Sequence, residues 1–151
     1  MFRVALHEPE IPPNTGNLMR LCVNTGCHLH LIHPLGFQLD DARLRRAGLD
    51  YKELARVTHH ESYDEFLRAE APERVWAYTQ HGDIRYDLAP IQPGDVLLFG
   101  KESVGLPETV LAHRSVSGRV RIPIAEGGRS LNLANAAAIA VYDAWRRIGF
   151  G

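Results

Sequence analysis

Four consecutive large apolar residues, Val96-Leu97-Leu98-Phe99, lie between Asp95 and Gly100. A run that short and continuous, bounded by a carboxylate and a glycine, reads as a strand apolar on both faces. Such strands belong to parallel sheets covered by helices on each side. Other short apolar or alternating runs predict strands at 2–7, 28–33, 54–59, 74–79 and 119–124, with this one at 95–100. Helical patterns fall between them at 15–24, 62–70 and 107–114, and a long one closes the chain at 131–148. Strands alternating with helices imply βα units. The expected class is α/β, a mostly parallel sheet with helices on both faces, in one domain spanning 1–151.

Composition narrows the class. The 151 residues are 45% hydrophobic and 23% charged, with a formal net charge of −1. That excludes long disorder, collagen and coiled coil. No stretch approaches the roughly 18 uncharged apolar residues of a membrane span, and Glu8 comes too early for a secretory leader. Two cysteines, Cys22 and Cys27, make no disulfide framework. A reduced, cytoplasmic protein is expected. Of 17 cations only Lys52 and Lys101 are lysines. Arginine is the better fork for phosphate, although a GC-rich coding sequence gives the same bias.

Phosphate-loop chemistry is missing where it belongs. The first βα junction, 8–17, has no GxGxxG. Gly100 and Gly105 have P-loop spacing, but Leu106-Pro107 replaces the required Lys-Ser/Thr. A dinucleotide enzyme or ATPase is therefore disfavoured. His28, His30 and His33 would put at most two ligands on one strand face, and read as surface histidines rather than a metal centre. No metal is expected.

Three loops that leave strand ends carry the chemistry, where ligands of parallel sheets bind. In the first, Asn14 to Arg20, amides and a glycine open a helix, with Asn14 or Thr15 as its cap; such a helix start can bind an anion and Arg20 can fork a phosphate. The second, Gly100-Lys101-Glu102-Ser103-Val104-Gly105, puts two glycines around a carboxylate. The third runs from Arg121 through Gly127-Gly128 to Ser130, Leu131 and Asn135, with Ser130 as the expected cap of the last helix. On that helix Ala134, Ala137, Ala138, Val141, Trp145 and Ile148 form an apolar stripe, with Asn132, Asn135 and Tyr142 beside it. A fourth region sets Arg43, Arg45 and Arg46 near Tyr51, cations for phosphate and a ring for a base.

In this order, these segments resemble the SPOUT class of RNA methyltransferases. They are most similar to its small TrmL-type subfamily, which methylates the wobble nucleotide of transfer RNA. Glu8 to Asn17 followed by Arg20-Leu21-Cys22 looks like the first motif, and 44–51 like a further signature. Phe99-Gly100, Glu102 and Gly105-Leu106-Pro107 resemble the second motif; Arg121-Ile122-Pro123, 129–133 and Asn135 resemble the third. The resemblance spans about Val4 to Phe150. It implies a C-terminal trefoil knot, which periodicity could not show and general rules of chain threading would reject.

The resemblance also implies S-adenosyl-L-methionine as cofactor, held through Tyr78, Gly100, Ile122, Ser130 and Leu131, largely by main-chain groups. A homodimer through the C-terminal helix is implied, with alanines 134, 137 and 138 as the expected contact. The implied reaction is 2′-O-methylation of the ribose of cytidine or modified uridine 34, with leucine transfer RNAs as expected substrates and no metal or membrane involved. Arg20 is the leading catalytic candidate. A guanidinium is a poor base, so it is expected to orient substrate. Asn14, Glu102 and Asn135 would shape the site, and Tyr142 would touch the substrate. The competing readings are an inactive RNA-binding relative and action on another RNA site. Arg20, Glu102 and Asn135 speak against the inactive relative.

Overall fold

In the computed structural model all 151 residues are described, with the side chains of Asp41 and Tyr51 excepted. The strands are β1 (Arg3–His7), β2 (His28–Ile32), β3 (Val57–His60), β4 (Val75–Tyr78), β5 (Ile84–Arg85), β6 (Val96–Phe99) and β7 (Val116–Arg121). The helices are α1 (Pro12–Thr25), α2 (Asp41–Arg46), α3 (Tyr51–Ala55), α4 (Tyr63–Glu70), α5 (Glu108–Leu111) and α6 (Leu133–Arg147). The sheet order is β3-β2-β1-β6-β4-β7-β5, and every pairing between these strands is parallel.

The expected two-sided burial is present. Leu97 and Phe99 of β6 join Val4, Leu6, Trp76 and Tyr78 in one core, beneath α1 and α6. Val96 and Leu98 face the other way, joining Ala5, Val75 and Ala77 beneath Phe66 of α4 and Val110 of α5. Asp95 anchors the start of β6 from within. It is 2% exposed and accepts from Arg74 Nε (2.8 Å), Trp76 Nε1 (2.9 Å) and the N–H of Gln92 (2.9 Å).

Several elements differ from expectation. Residues 54–55 end a helix rather than begin a strand: Asp50 accepts from the N–H groups of Lys52 and Glu53 while Glu53 returns a contact, a complete capping box. β7 lies three residues earlier than predicted, so 122–132 is free to form a loop. α6 is capped by Asn132, which accepts from the N–H of Asn135 at 3.2 Å, and not by Ser130. α1 begins at Pro12, so neither Asn14 nor Thr15 caps it. The apolar stripe of α6 packs on the core as expected, but the dimer contact expected at Ala137 is corrected: Ala137 is fully buried in its own protomer's core, so it is no contact surface for a second chain.

The histidines correct another expectation. His30 and His60 are 2% and 3% exposed, and the two rings face each other beneath α4. A strand's alternation assigns His30 to a face; only the helix covering that face makes it interior.

Candidate functional site

The C-terminal ends of β4, β6 and β7 open into a cavity of about 510 Å³, within the range of small-molecule sites. Its floor is Tyr78 and Phe99, stacked with ring centroids 4.6 Å apart. Gly100, Glu102 and Gly105 form one wall, Ile122 and Ile124 a second, and Ser130 to Leu133 with Ala136 the third. All five expected cofactor residues, Tyr78, Gly100, Ile122, Ser130 and Leu131, line this one cavity, together with Asn14.

The second loop closes on itself. The N–H of Gly105 donates to the carbonyl of Lys101 at 2.9 Å, and Gly105 takes φ +72°, a left-handed conformation suited to glycine. A Cβ on Gly100 would lie 2.1 Å from the carbonyl carbon of Gly105 and 2.2 Å from the nitrogen of Leu106. Glycine at 100 is what lets the loop fold against the cavity, with main-chain groups forming its wall.

Glu102 holds the first loop. Ile11, at the N-terminal cap of α1, has no side-chain acceptor to offer. The Glu102 carboxylate fills that role from across the fold, accepting from the N–H groups of Glu10 (2.9 Å) and Ile11 (2.6 Å) and from Asn14 Nδ2 (3.2 Å). An anion there also suits the helix dipole. The start of α1, read from sequence as a phosphate site, is therefore taken by the protein's own carboxylate. Glu10 reciprocates, accepting from the Ser103 N–H at 3.0 Å and its hydroxyl at 2.5 Å. Asn132, read from the sequence as part of the polar stripe beside the alanines, donates from Nδ2 to Asn14 Oδ1 at 2.9 Å. Gln80 and Ser130 are also hydrogen-bonded across the mouth.

Burial pushes the phenol of Tyr78 well above its usual range. Its hydroxyl is buried without a partner, and the charged groups that act on it are Arg147 and Asp143 of α6, neither of which lines the cavity. Burial raises the thiols of Cys22 and Cys27 likewise, which removes them as nucleophiles.

The remaining candidates lie outside the cavity lining. Arg20 is exposed; its Nη2 donates to the carbonyl of Gly48 at 3.1 Å and its Nε lies 3.9 Å from Glu53 Oε1. From Asn14 it is about 9 Å further along α1 and about 120° round the helix. Those contacts do bring Arg20 beside the arginine segment. There Leu44 and Leu49 are buried while Arg43, Arg45 and Arg46 are exposed, Arg43 lying 3.3 Å from Asp40. The side chain of Tyr51 lies outside the described residues. Asn135 and Tyr142 stand on the exposed face of α6, with Ile139 between them.

Comparison with known proteins matches this arrangement. The model of the SpoU rRNA methylase family matches residues 1–142. A tRNA (cytidine(34)-2′-O)-methyltransferase of Saccharophagus degradans is 53% identical over 150 residues, covering 99% of this chain and 97% of that one. Its Escherichia coli counterpart is 50% identical, covering 99% and 96%. A solved structure described as giving insight into 2-OH methylation of C/U34 on tRNA superposes with a TM-score of 0.89 at 44% identity, covering 99% and 97%. The Streptomyces viridochromogenes methyltransferase AviRb, solved with AdoMet, superposes at 0.80 and 26% identity, covering 99% of this chain and 61% of that one. The α/β fold, the cavity at the strand ends and these relatives agree: the chain belongs to the SpoU methylase family.

Proposed function

We infer that this protein is a tRNA methyltransferase that moves the methyl group of S-adenosyl-L-methionine to the ribose 2′-oxygen of nucleotide 34, a cytidine or uridine. The observation that carries the reading is the convergence of Tyr78, Gly100, Ile122, Ser130 and Leu131 on one cavity in a chain half identical to enzymes of that name. The cavity fits the cofactor: it is large enough, apolar along Phe99, Ile122 and Leu133, and walled by a glycine loop that a side chain would block. When bound, S-adenosyl-L-methionine supplies a sulfonium methyl, so that an O–CH3 bond forms as S–CH3 breaks and the hydroxyl proton is released.

The chain's own contribution is placement. Main-chain groups of 100–105 and 130–132 frame the cofactor, and the Glu102–Asn14–Asn132 hydrogen bonds fix those loops to one another. We assign Arg20 to the substrate, orienting its phosphate and 2′-hydroxyl, and Arg43, Arg45, Arg46 and Tyr51 to the RNA strand beyond. Asn135 and Tyr142 are placed at the substrate's edge of the site. Leucine transfer RNAs in the cytoplasm remain the proposed substrates.

A homodimer through α6 belongs to the same reading. α6 forms one wall of the cavity with Leu133 and Ala136, while Ile139 and Tyr142, 37% and 44% exposed, face away from its own core. A second copy seated there sits beside the cavity and brings further substrate-binding groups to it. Among the described residues no helix is long and apolar enough to cross a membrane.

The test is single-turnover methylation of tRNA beside calorimetric titration with the cofactor, both in chelator. Arg20→Ala should slow transfer about 10²–10³-fold, the loss of roughly 3–4 kcal/mol of transition-state stabilisation, with cofactor affinity nearly unchanged. Arg20→Lys should also be impaired, since it keeps charge without the fork. Normal turnover in Arg20→Ala removes Arg20 from the mechanism. A chelator that abolishes cofactor binding sinks the metal-free reading.

A further inference from the structure

The geometry points to a second binding site in this protein, a zinc-type cation site formed by His30, His60 and Glu70. It lies at the β3 edge of the sheet, and none of its residues lines the cofactor cavity.

Three elements build it. His60 of β3 pairs in register with Ile32 of β2, two residues beyond His30, so both imidazoles share one face. Glu70, the last residue of α4, closes over them. His30 Nδ1 lies 3.0 Å from His60 Nε2, and Glu70 Oε1 lies 3.6 Å and 3.8 Å from those two nitrogens. A tetrahedral zinc with ligand bonds of about 2.0–2.2 Å needs ligand atoms roughly 3.3–3.6 Å apart. The three edges bracket that figure, so side-chain shifts of a few tenths of an ångström complete the triangle.

Glu70 is held in place from outside the cluster. The Glu70 carboxylate divides its oxygens: Oε2 lies 3.7 Å from Arg3 Nη1 while Oε1 faces the imidazoles. Arg3 also donates to the Glu70 carbonyl at 3.0 Å. This outer partner fixes the ligand's direction, as is usual around bound metals. Phe66 walls the site, its centroid 5.5 Å from that of His30 and 5.2 Å from that of His60. Glu70 is one-quarter exposed, leaving an entry path and room for water as fourth ligand. Two imidazoles and one carboxylate favour zinc over the oxygen-seeking magnesium or calcium. Bound there, zinc ties the edge strand β3 and the end of α4 to β2.

The probe is Zn²⁺ alone, titrated into chelator-stripped protein at pH 7. One equivalent should bind, and free Zn²⁺ at a hundredfold excess over Kd should raise Tm by about 5–10 °C. His60→Asn and Glu70→Gln should each weaken binding at least a hundredfold, and Arg3→Gln about tenfold. His59→Asn should leave it intact; His59 and His33 form an exposed pair, 2.7 Å apart, that could otherwise mimic the site. Co²⁺ added to the wild type should give the visible spectrum of a tetrahedral site, a readout that depends on no variant folding. No saturable Zn²⁺ binding, binding lost in His59→Asn but kept in Glu70→Gln, or an octahedral Co²⁺ spectrum would each overturn the proposal.

Discussion

Asn132 Nδ2 donates to Asn14 Oδ1 at 2.9 Å, across 118 residues of chain. The other end of the same amide, Asn14 Nδ2, donates to Glu102. One buried side chain thus connects the cap of α6 with the loop that follows β6, the two walls between which the cofactor is proposed to lie.

That relationship gives the first prediction. Asn14→Ala removes a hydrogen bond to a charged group and one to a neutral amide, and should cost about 2–4 kcal/mol of stability, read by urea unfolding. Cofactor affinity should fall with it. Asn14→Asp should be worse at pH 7, because it sets a second carboxylate against Glu102. Normal cofactor binding by Asn14→Ala would show that the walls hold without this amide.

Gly100→Ala is the second. Its Cβ would meet main-chain atoms of Gly105 and Leu106, which cannot swing aside as a side-chain tip can. The loop must open, at about 1–3 kcal/mol, and cofactor affinity should drop at least tenfold. Calorimetry on the folded variant checks this, with circular dichroism confirming the sheet.

The α6 surface gives the third. Ile139→Asp should convert a dimer to monomer in sedimentation at micromolar concentration, with the monomer's fold preserved because Ile139 is partly exposed. Ala137→Trp should instead unfold the protomer, because Ala137 is fully buried. A wild type that sediments only as monomer would refute the dimer.

Acid should act in part through His7. It is 6% exposed, and burial lowers its imidazole, opposed by Glu8 and aided by Lys101. The unfolded chain then binds the proton more readily than the folded one. His7's contribution is whole above pH 6.5, the ordinary value, and is lost as pH falls from there toward the lowered folded value, at up to about 1.4 kcal/mol per pH unit. Stability of His7→Gln, measured from pH 7.5 to 5, should fall less steeply than that of the wild type. Parallel slopes would contradict it.

Much of the cavity was legible in the sequence because its chemistry is written in residue type. Gly100 and Gly105 around a carboxylate after an apolar strand mark a close backbone path at a strand end, and the residues around Ser130 follow another strand end. Partnerships across the fold were not legible. Nothing near Glu102 in sequence says that it caps a helix whose N-cap residue, Ile11, lies 91 residues earlier. Ser130 and Asn132 are both good caps, and only the loop's path decides between them. β5, two residues long, exists because β7 is beside it. The capping box of Asp50 and Glu53 was a visible signal against the strand predicted to start at residue 54.

The Asn14–Asn132 bond sets a schedule for the chain as it is made. At about 5–20 residues per second, the ribosome adds Asn132 roughly 6–24 s after Asn14, and α6 emerges later still. Throughout that interval Asn14 lacks its second partner and the cavity lacks a wall. A nascent chain therefore cannot sequester cofactor before Asn132 and the helix that follows it have been added, and a message truncated before the codon for Asn132 yields a product with no wall to hold a methyl donor, however well its first strands have folded.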